Sequence, residues 1–116
     1  MNAPIFTIVI PAHNEEKYIG KCIEAIRAAS AHFDKEAVQI IVSANRCTDE
    51  TVAISRRMGA EVCENTVRCI SSVRNQGAAL AKGRILIFID ADSCMSEGSL
   101  TEIREMLLSL IHISEP

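Results

Sequence analysis

The stretch Ile85-Leu86-Ile87-Phe88-Ile89-Asp90-Ala91-Asp92 decides how this chain is read. Its unbroken apolar run predicts a strand buried on both faces, the pattern of a parallel sheet. Two carboxylates two residues apart follow where the strand runs out. Crowded like charges repel each other and lose hydration energy, and a divalent cation removes that cost. Hard oxygen ligands suit Mg²⁺ or Mn²⁺. The expectation is therefore a metal site, Asp90 with Asp92, at the carboxyl end of a parallel sheet. The plainer alternative is a turn capped by Asp90 with Asp92 solvated.

Upstream, the same alternation of strand and helix repeats. Phe6-Thr7-Ile8-Val9-Ile10 reads as a first strand stopped by Pro11. Asn14 is placed to cap a helix whose first turn holds Glu15 and Glu16, matching the positive end of the helix dipole. Ile19, Cys22, Ile23 and Ile26 recur at helical spacing, and this helix should run to about Ser30. Val38-Gln39-Ile40-Ile41-Val42 reads as a second strand. Thr48 is the expected cap of a second helix, with Ile54 and Met58 facing inward and Gly59 stopping it. Ala60-Glu61-Val62-Cys63 reads as a short edge strand. A third helix is expected over about 72–82; its Gly77, Ala78, Ala79 and Ala81 are small enough to lie close against the sheet or a ligand. A fourth strand should cover 84–89. A last helix carries Leu100, Ile103, Leu107 and Leu110 on one face, with Ser96 or Ser99 as cap; Ser99 with Glu102 fits a capping box.

Alternating βα units without repeats or linkers predict one α/β domain: a doubly wound, mostly parallel sheet with helices on both faces. The expected strand order is 3-2-1-4. It reverses between the first and fourth strands, and ligands bind at such a switch point. The loops following the first, second and fourth strands would then share one rim.

Composition narrows the function classes. The 116 residues carry a formal charge of -3, one Tyr, three Phe and no Trp. That offers neither a basic footprint nor stacking platforms for nucleic acid. No apolar run approaches the length of a membrane span, and the first residues lack the pattern of a signal peptide. Five cysteines with no C-x-x-C pair read as scattered small apolar residues in a reducing compartment, so a cytoplasmic location is expected.

Four blocks then carry a resemblance. Val9-Ile10-Pro11-Ala12-His13-Asn14-Glu15-Glu16 resembles the opening strand and P-x-x-N-E of family 2 glycosyltransferases. Ile41-Val42 through Asn45-Arg46-Cys47-Thr48-Asp49-Glu50-Thr51 resembles their second block, usually an acidic pair and then Gly-Ser-Thr-Asp-Gly-Thr. Arg74-Asn75-Gln76-Gly77-Ala78, with Ala81 and Gly83, resembles their R-N-x-G-A…A-x-G helix. Ile87-Phe88-Ile89-Asp90-Ala91-Asp92 resembles their strand ending in D-x-D. The blocks come in the family's order and spacing, over about residues 5–95.

The resemblance implies a GT-A fold, a Rossmann-like half, and transfer of a sugar from a nucleotide-diphosphate sugar, UDP- or GDP-linked. It implies that Asp92 ligates Mg²⁺ or Mn²⁺ while Asp90 contacts ribose or supports the ion. A cation bridging both phosphates stabilises the charge that develops on the leaving group. The loop 11–15 would wrap the nucleoside, with Pro11, His13, Asn14 and Glu15 at the ligand and Arg74 near base or diphosphate. Helix capping is the alternative for Asn14 and Glu15, and a solvent-facing position for His13. Asp49 reads better as a cap or orienter of the second helix.

Two departures from the pattern matter. Ala44-Asn45 stands where the family has its acidic pair; Asn45 still offers hydrogen bonds to a base edge. The family's acceptor half and its catalytic carboxylate come after D-x-D, and Glu97, Glu102 and Glu105 sit in no family motif for a general base. The expectation is a donor-binding part, truncated after D-x-D, with residues from about 110 to 116 a foreign tail. The acceptor stays unassigned. Exposed apolar surface near the last helix would favour self-association. The competing readings are a non-catalytic nucleotide- or metal-binding or interaction module, and a phosphohydrolase using D-x-D; the latter usually carries D-x-D after its first strand.

Overall fold

The computed structural model describes residues 4–114. Four strands form one sheet: β1 (Phe6–Ala12), β2 (Val38–Asn45), β3 (Glu61–Asn65) and β4 (Ile85–Phe88). All pairs are parallel and the order is β3-β2-β1-β4, as the alternating pattern predicts. The helices are α1 (Ile19–Ala29), α2 (Thr51–Arg57), α3 (Ile70–Ala78) and α4 (Ser99–Ser114), with short 3₁₀ turns at Ser30–His32 and Lys35–Ala37. Residues 115–116 of the tail set apart in the sequence lie outside the described residues; the helical backbone continues to Ser114.

Strand parity sorts the two faces of the sheet. Phe6, Ile8 and Ile10 of β1 and Val38, Ile40 and Val42 of β2 join Ile19, Cys22, Ile23 and Ile26 of α1 and Leu100 of α4 in one apolar core. Each fully buried isoleucine there contributes roughly 1.5–3 kcal/mol relative to exposure. The opposite parity faces α3 and is largely polar: Thr7, Gln39, Ser43 and Asn45 are all buried. Their groups are satisfied internally. The Thr7 hydroxyl donates to Gln39 Oε1 at 2.7 Å, and the Ser43 hydroxyl donates to the Val73 carbonyl at 2.7 Å. Gly77 lets α3 sit on this face: a Cβ there would lie 2.5 Å from Val9 Cγ1.

Several boundaries differ from the sequence expectation, each for a physical reason. β1 does not stop at Pro11 but runs to Ala12. Pro11 shares the parity of Val9, whose carbonyl accepts from Ile89 on the β4 side, and pairing with β4 ends at Val9. The missing N–H therefore points where the ladder needs no donor. β2 likewise extends to Asn45, and β3 is shifted to Glu61–Asn65. The first helix begins at Ile19, not after Asn14, because Asn14 sits at φ 50° and its side chain is committed elsewhere. Glu50, not Thr48, precedes α2. α3 starts and stops earlier than 72–82. Ser99 is the first residue of α4, so it forms no capping box with Glu102; the Ser96 hydroxyl pairs with that of Ser99 at 2.6 Å.

The largest correction concerns β4. Ile85 and Ile87 turn toward the core, but Leu86 and Phe88 are 43% and 41% exposed. An all-apolar run carries no information about which of its faces is covered. Here α3 lies mainly over β1, β2 and β3 and covers the matching face of β4 only in part, with the Arg74 side chain reaching over Phe88.

Candidate nucleotide-sugar site

Because every strand runs the same way, the segments after β1, β2 and β4 emerge at one end of the sheet. That rim brings together residues 13–16, 46–50 and 89–94. The β1 and β2 ends are level, with Ala12 opposite Ala44.

The first two loops are tied to each other side chain to backbone. Asn14 Oδ1 accepts the Thr48 amide at 2.8 Å and the Asp49 amide at 3.3 Å. The amides of residues 14, 15 and 16 donate in turn to Cys47 Sγ (3.4 Å), Thr51 Oγ1 (2.8 Å) and Asp49 Oδ2 (3.2 Å). Glu16 Oε1 returns the contact by accepting the Glu50 amide at 3.0 Å. Asp49 Oδ1 accepts both the hydroxyl and the amide of Thr51, at 2.5 and 2.9 Å. Desolvation, the largest single influence, pushes the Asp49 carboxyl up, but the hydrogen bonds from Thr51 and Glu16 together outweigh it and hold it below the usual carboxylate range. Asp49 thus orients α2, as its position in the sequence suggests. Cys47, Thr51 and Glu16 escaped sequence reasoning. Asp49 followed two residues later by Thr51 is a local turn signature; nothing local links Cys47 to a residue 33 positions away.

Behind the clasp, Asn45 is buried and its amide nitrogen is engaged twice, with Asn65 Oδ1 at 2.9 Å and the Val67 carbonyl at 2.6 Å. These bonds anchor the segment leading into α3. The Asn45 carbonyl lies 2.8 Å from His13 Nδ1. A carbonyl only accepts, so Nδ1 is the donor in this contact. Asn14 and Arg46 both adopt φ 50°, one on each loop. Left-handed backbone at non-glycine residues costs energy, and such residues gather at sites where surrounding contacts hold them.

At the end of β4, Asp90 and Asp92 are exposed on a turn closed by the Ser93 amide donating to the Asp90 carbonyl at 3.0 Å. Neither side-chain carboxylate accepts a hydrogen bond among the described residues. Both press on Cys22 beneath them, whose thiol is pushed up to about 11, first by burial and then by Cys94, Asp92 and Asp90. Arg74, on α3, lays its guanidinium 6.0 Å from the centre of the Phe88 ring, two residues before Asp90, and its buried Nε has no partner. Among the described residues no cluster of three or more His, Cys, Asp or Glu side chains could cage a metal. What Asp90 and Asp92 offer is two exposed carboxylates without protein partners among the described residues, a hard-oxygen donor set of the type Mg²⁺ takes alongside water and phosphate oxygens.

Comparison with known proteins decides the family. The family model for glycosyl transferase family 2 matches residues 7–109. The chain belongs to this family. Minor teichoic acid biosynthesis protein GgaB of Bacillus subtilis (strain 168) is 29% identical over 104 residues, 84% of this chain and 11% of its own length. Among solved structures, Staphylococcus aureus TarS 1–349 superposes with a TM-score of 0.78 at 23% identity, over 90% of this chain and 32% of that one. Glucosyl-3-phosphoglycerate synthase of Mycobacterium tuberculosis, solved with Mn²⁺, UDP and glucosyl-3-phosphoglycerate, gives 0.63 at 29% identity, over 76% of this chain and 33% of that one. These neighbours are GT-A glycosyltransferases, and the four-stranded sheet described above is the fold the chain shares with them. The chain spans a third or less of these family 2 relatives.

Proposed function

We propose that this chain is the donor-binding part of a metal-dependent, inverting glycosyltransferase that takes its sugar from a UDP- or GDP-linked donor. One observation carries the reading. The parallel sheet brings an exposed carboxylate pair, an arginine with an unpartnered nitrogen and two interlocked polar loops to a single rim. Pro11, His13, Asn14, Glu15 and Asn45 build the nucleoside side of that rim, and Arg74, Asp90 and Asp92 the diphosphate side. Asp92, with Asp90 in support, would hold Mg²⁺ or Mn²⁺, and the ion would stabilise the charge of the departing nucleoside diphosphate. The Mn²⁺ and UDP in the mycobacterial synthase support that chemistry. Arg74 is placed to add fixed positive charge beside the same phosphates. We assign neither the acceptor nor a general base to these residues. Its five free cysteines suit a reducing, cytoplasmic setting. No helix among the described residues is long and apolar enough to cross a membrane.

Isothermal titration of UDP, GDP and their sugars with and without Mn²⁺ tests the proposal. Binding should require the metal and be lost in Asp92→Ala. Tight binding that ignores both the metal and that substitution would overturn it.

A further inference from the structure

We infer that Asn14 and Thr51 are positioning residues, and that the loops after β1 and β2 form one preformed wall for the nucleoside and leave no cradle for phosphate. The inference rests on the donor-site reading and sharpens it. Three successive amides, at residues 14, 15 and 16, make the kind of concavity that elsewhere binds anions. Here each is filled from the second loop or the first residue of α2, by Cys47 Sγ, Thr51 Oγ1 and Asp49 Oδ2. A phosphate has no free amide to meet there, so the diphosphate belongs on the Asp90, Asp92 and Arg74 side of the rim.

Asn14 is the return half of the clasp. Its Oδ1 accepts two amides of the second loop, which occupies both lone pairs and leaves that oxygen none for a ligand. Its backbone at φ 50° suits Asn better than most residues, so one residue supplies both the turn and the tie. Thr51, fully buried, accepts from the Glu15 amide and donates to Asp49. A wall locked this way spares a ligand the cost of ordering two loops when it binds.

The test uses the full chain with Mn²⁺ and either UDP or GDP. Asn14→Gly keeps the backbone turn but removes the clasp, and Asn14→Ala removes both. Each should weaken binding by about tenfold or more, because the loops then lose their productive placement. Their binding entropy should become less favourable. Asn14→Asp retains the accepting oxygen and should stay within about threefold of the parent. Ile26→Val, in the core, lowers the melting temperature without touching the rim and should leave affinity unchanged. Parent-like binding by Asn14→Gly overturns the inference. So does an Asn14→Asp variant as weak as Asn14→Ala, which would mean that the amide group meets the ligand directly. An affinity loss in Ile26→Val would tie binding to global stability and also overturn it. Hydrogen exchange decides the clasp without any nucleotide: Asn14→Gly should speed exchange of the Thr48 and Asp49 amides, and unchanged protection sinks the idea. A parent chain that binds neither nucleotide rejects the donor-site reading alone, and the exchange result still stands.

Discussion

Cys69 and Cys22 carry the same thiol into opposite surroundings. Cys69 sits just before α3, where the Ser71 hydroxyl and the amides of Ser72 and Ser71 bring its thiol down to about 7. Cys22 is buried in the core above, and burial and the nearby acidic groups push it up to about 11. The thiolate is the nucleophile, so a lowered value means reactivity that switches on as pH rises through neutrality. Iodoacetamide labelling followed by peptide mass spectrometry should show Cys69 modification rising through about pH 7. Cys22 should stay unmodified in the folded chain over that range. In Ser71→Ala the Cys69 midpoint should move up, toward an ordinary thiol. Equal labelling of the two cysteines at neutral pH would contradict this picture. At the same scale, a motif assigns a residue to a site without saying which of its atoms are free. Asn14 and Asn45 both lie at the rim, yet the first spends its oxygen on the neighbouring loop and the second its nitrogen on the approach to α3.

The α3–sheet contact shows how a single position sets the spacing of whole elements. A Cβ on Gly77 would come within 2.5 Å of Val9 Cγ1 and 3.4 Å of Ser43 Cβ. Val9 stands on β1, paired on both sides, so it has no room to yield. Alanine is the better helix former by up to about 1 kcal/mol. Overpacking against a central strand typically costs about 1–3 kcal/mol, which outweighs that gain. Gly77→Ala should therefore lower the midpoint of urea denaturation, and an unchanged or higher midpoint would refute the close-contact argument. Arg74 rides on this helix, so the same substitution should also disturb the diphosphate side of the rim.

For the molecule as a whole, the two edges of the sheet are unequal. β3 exposes Glu61 and Glu64, and Arg56 pairs with Glu64 at 3.2 Å, so charge guards that edge. β4 carries no charge and leaves Leu86 and Phe88 partly open, while Met106 and Leu108 are exposed on α4. An unguarded apolar edge strand is a template for pairing. The chain should associate as its concentration rises, measured by sedimentation velocity, and Leu86→Lys should shift it toward monomer. A parent chain that stays monomeric at high concentration would remove the argument.

Local pattern was enough for much of this. Apolar runs, helical spacing, small residues and end signals marked all four strands and all four helices, and βα alternation with right-handed crossovers led to the order β3-β2-β1-β4. The rim location and the family blocks follow from the same information, because each lies within a short stretch of chain. Tertiary structure decided what depends on distant neighbours. It placed Asn14 against Thr48 and Asp49, 34 and 35 residues away, instead of over its own helix. It carried β1 through Pro11, since the missing donor fell where β4 had already ended. It left one face of β4 only partly covered, since coverage depends on where α3 lands and an all-apolar strand reads the same covered or bare. Periodicity records which side chains avoid water; which partner each polar atom finds is settled only when the loops meet.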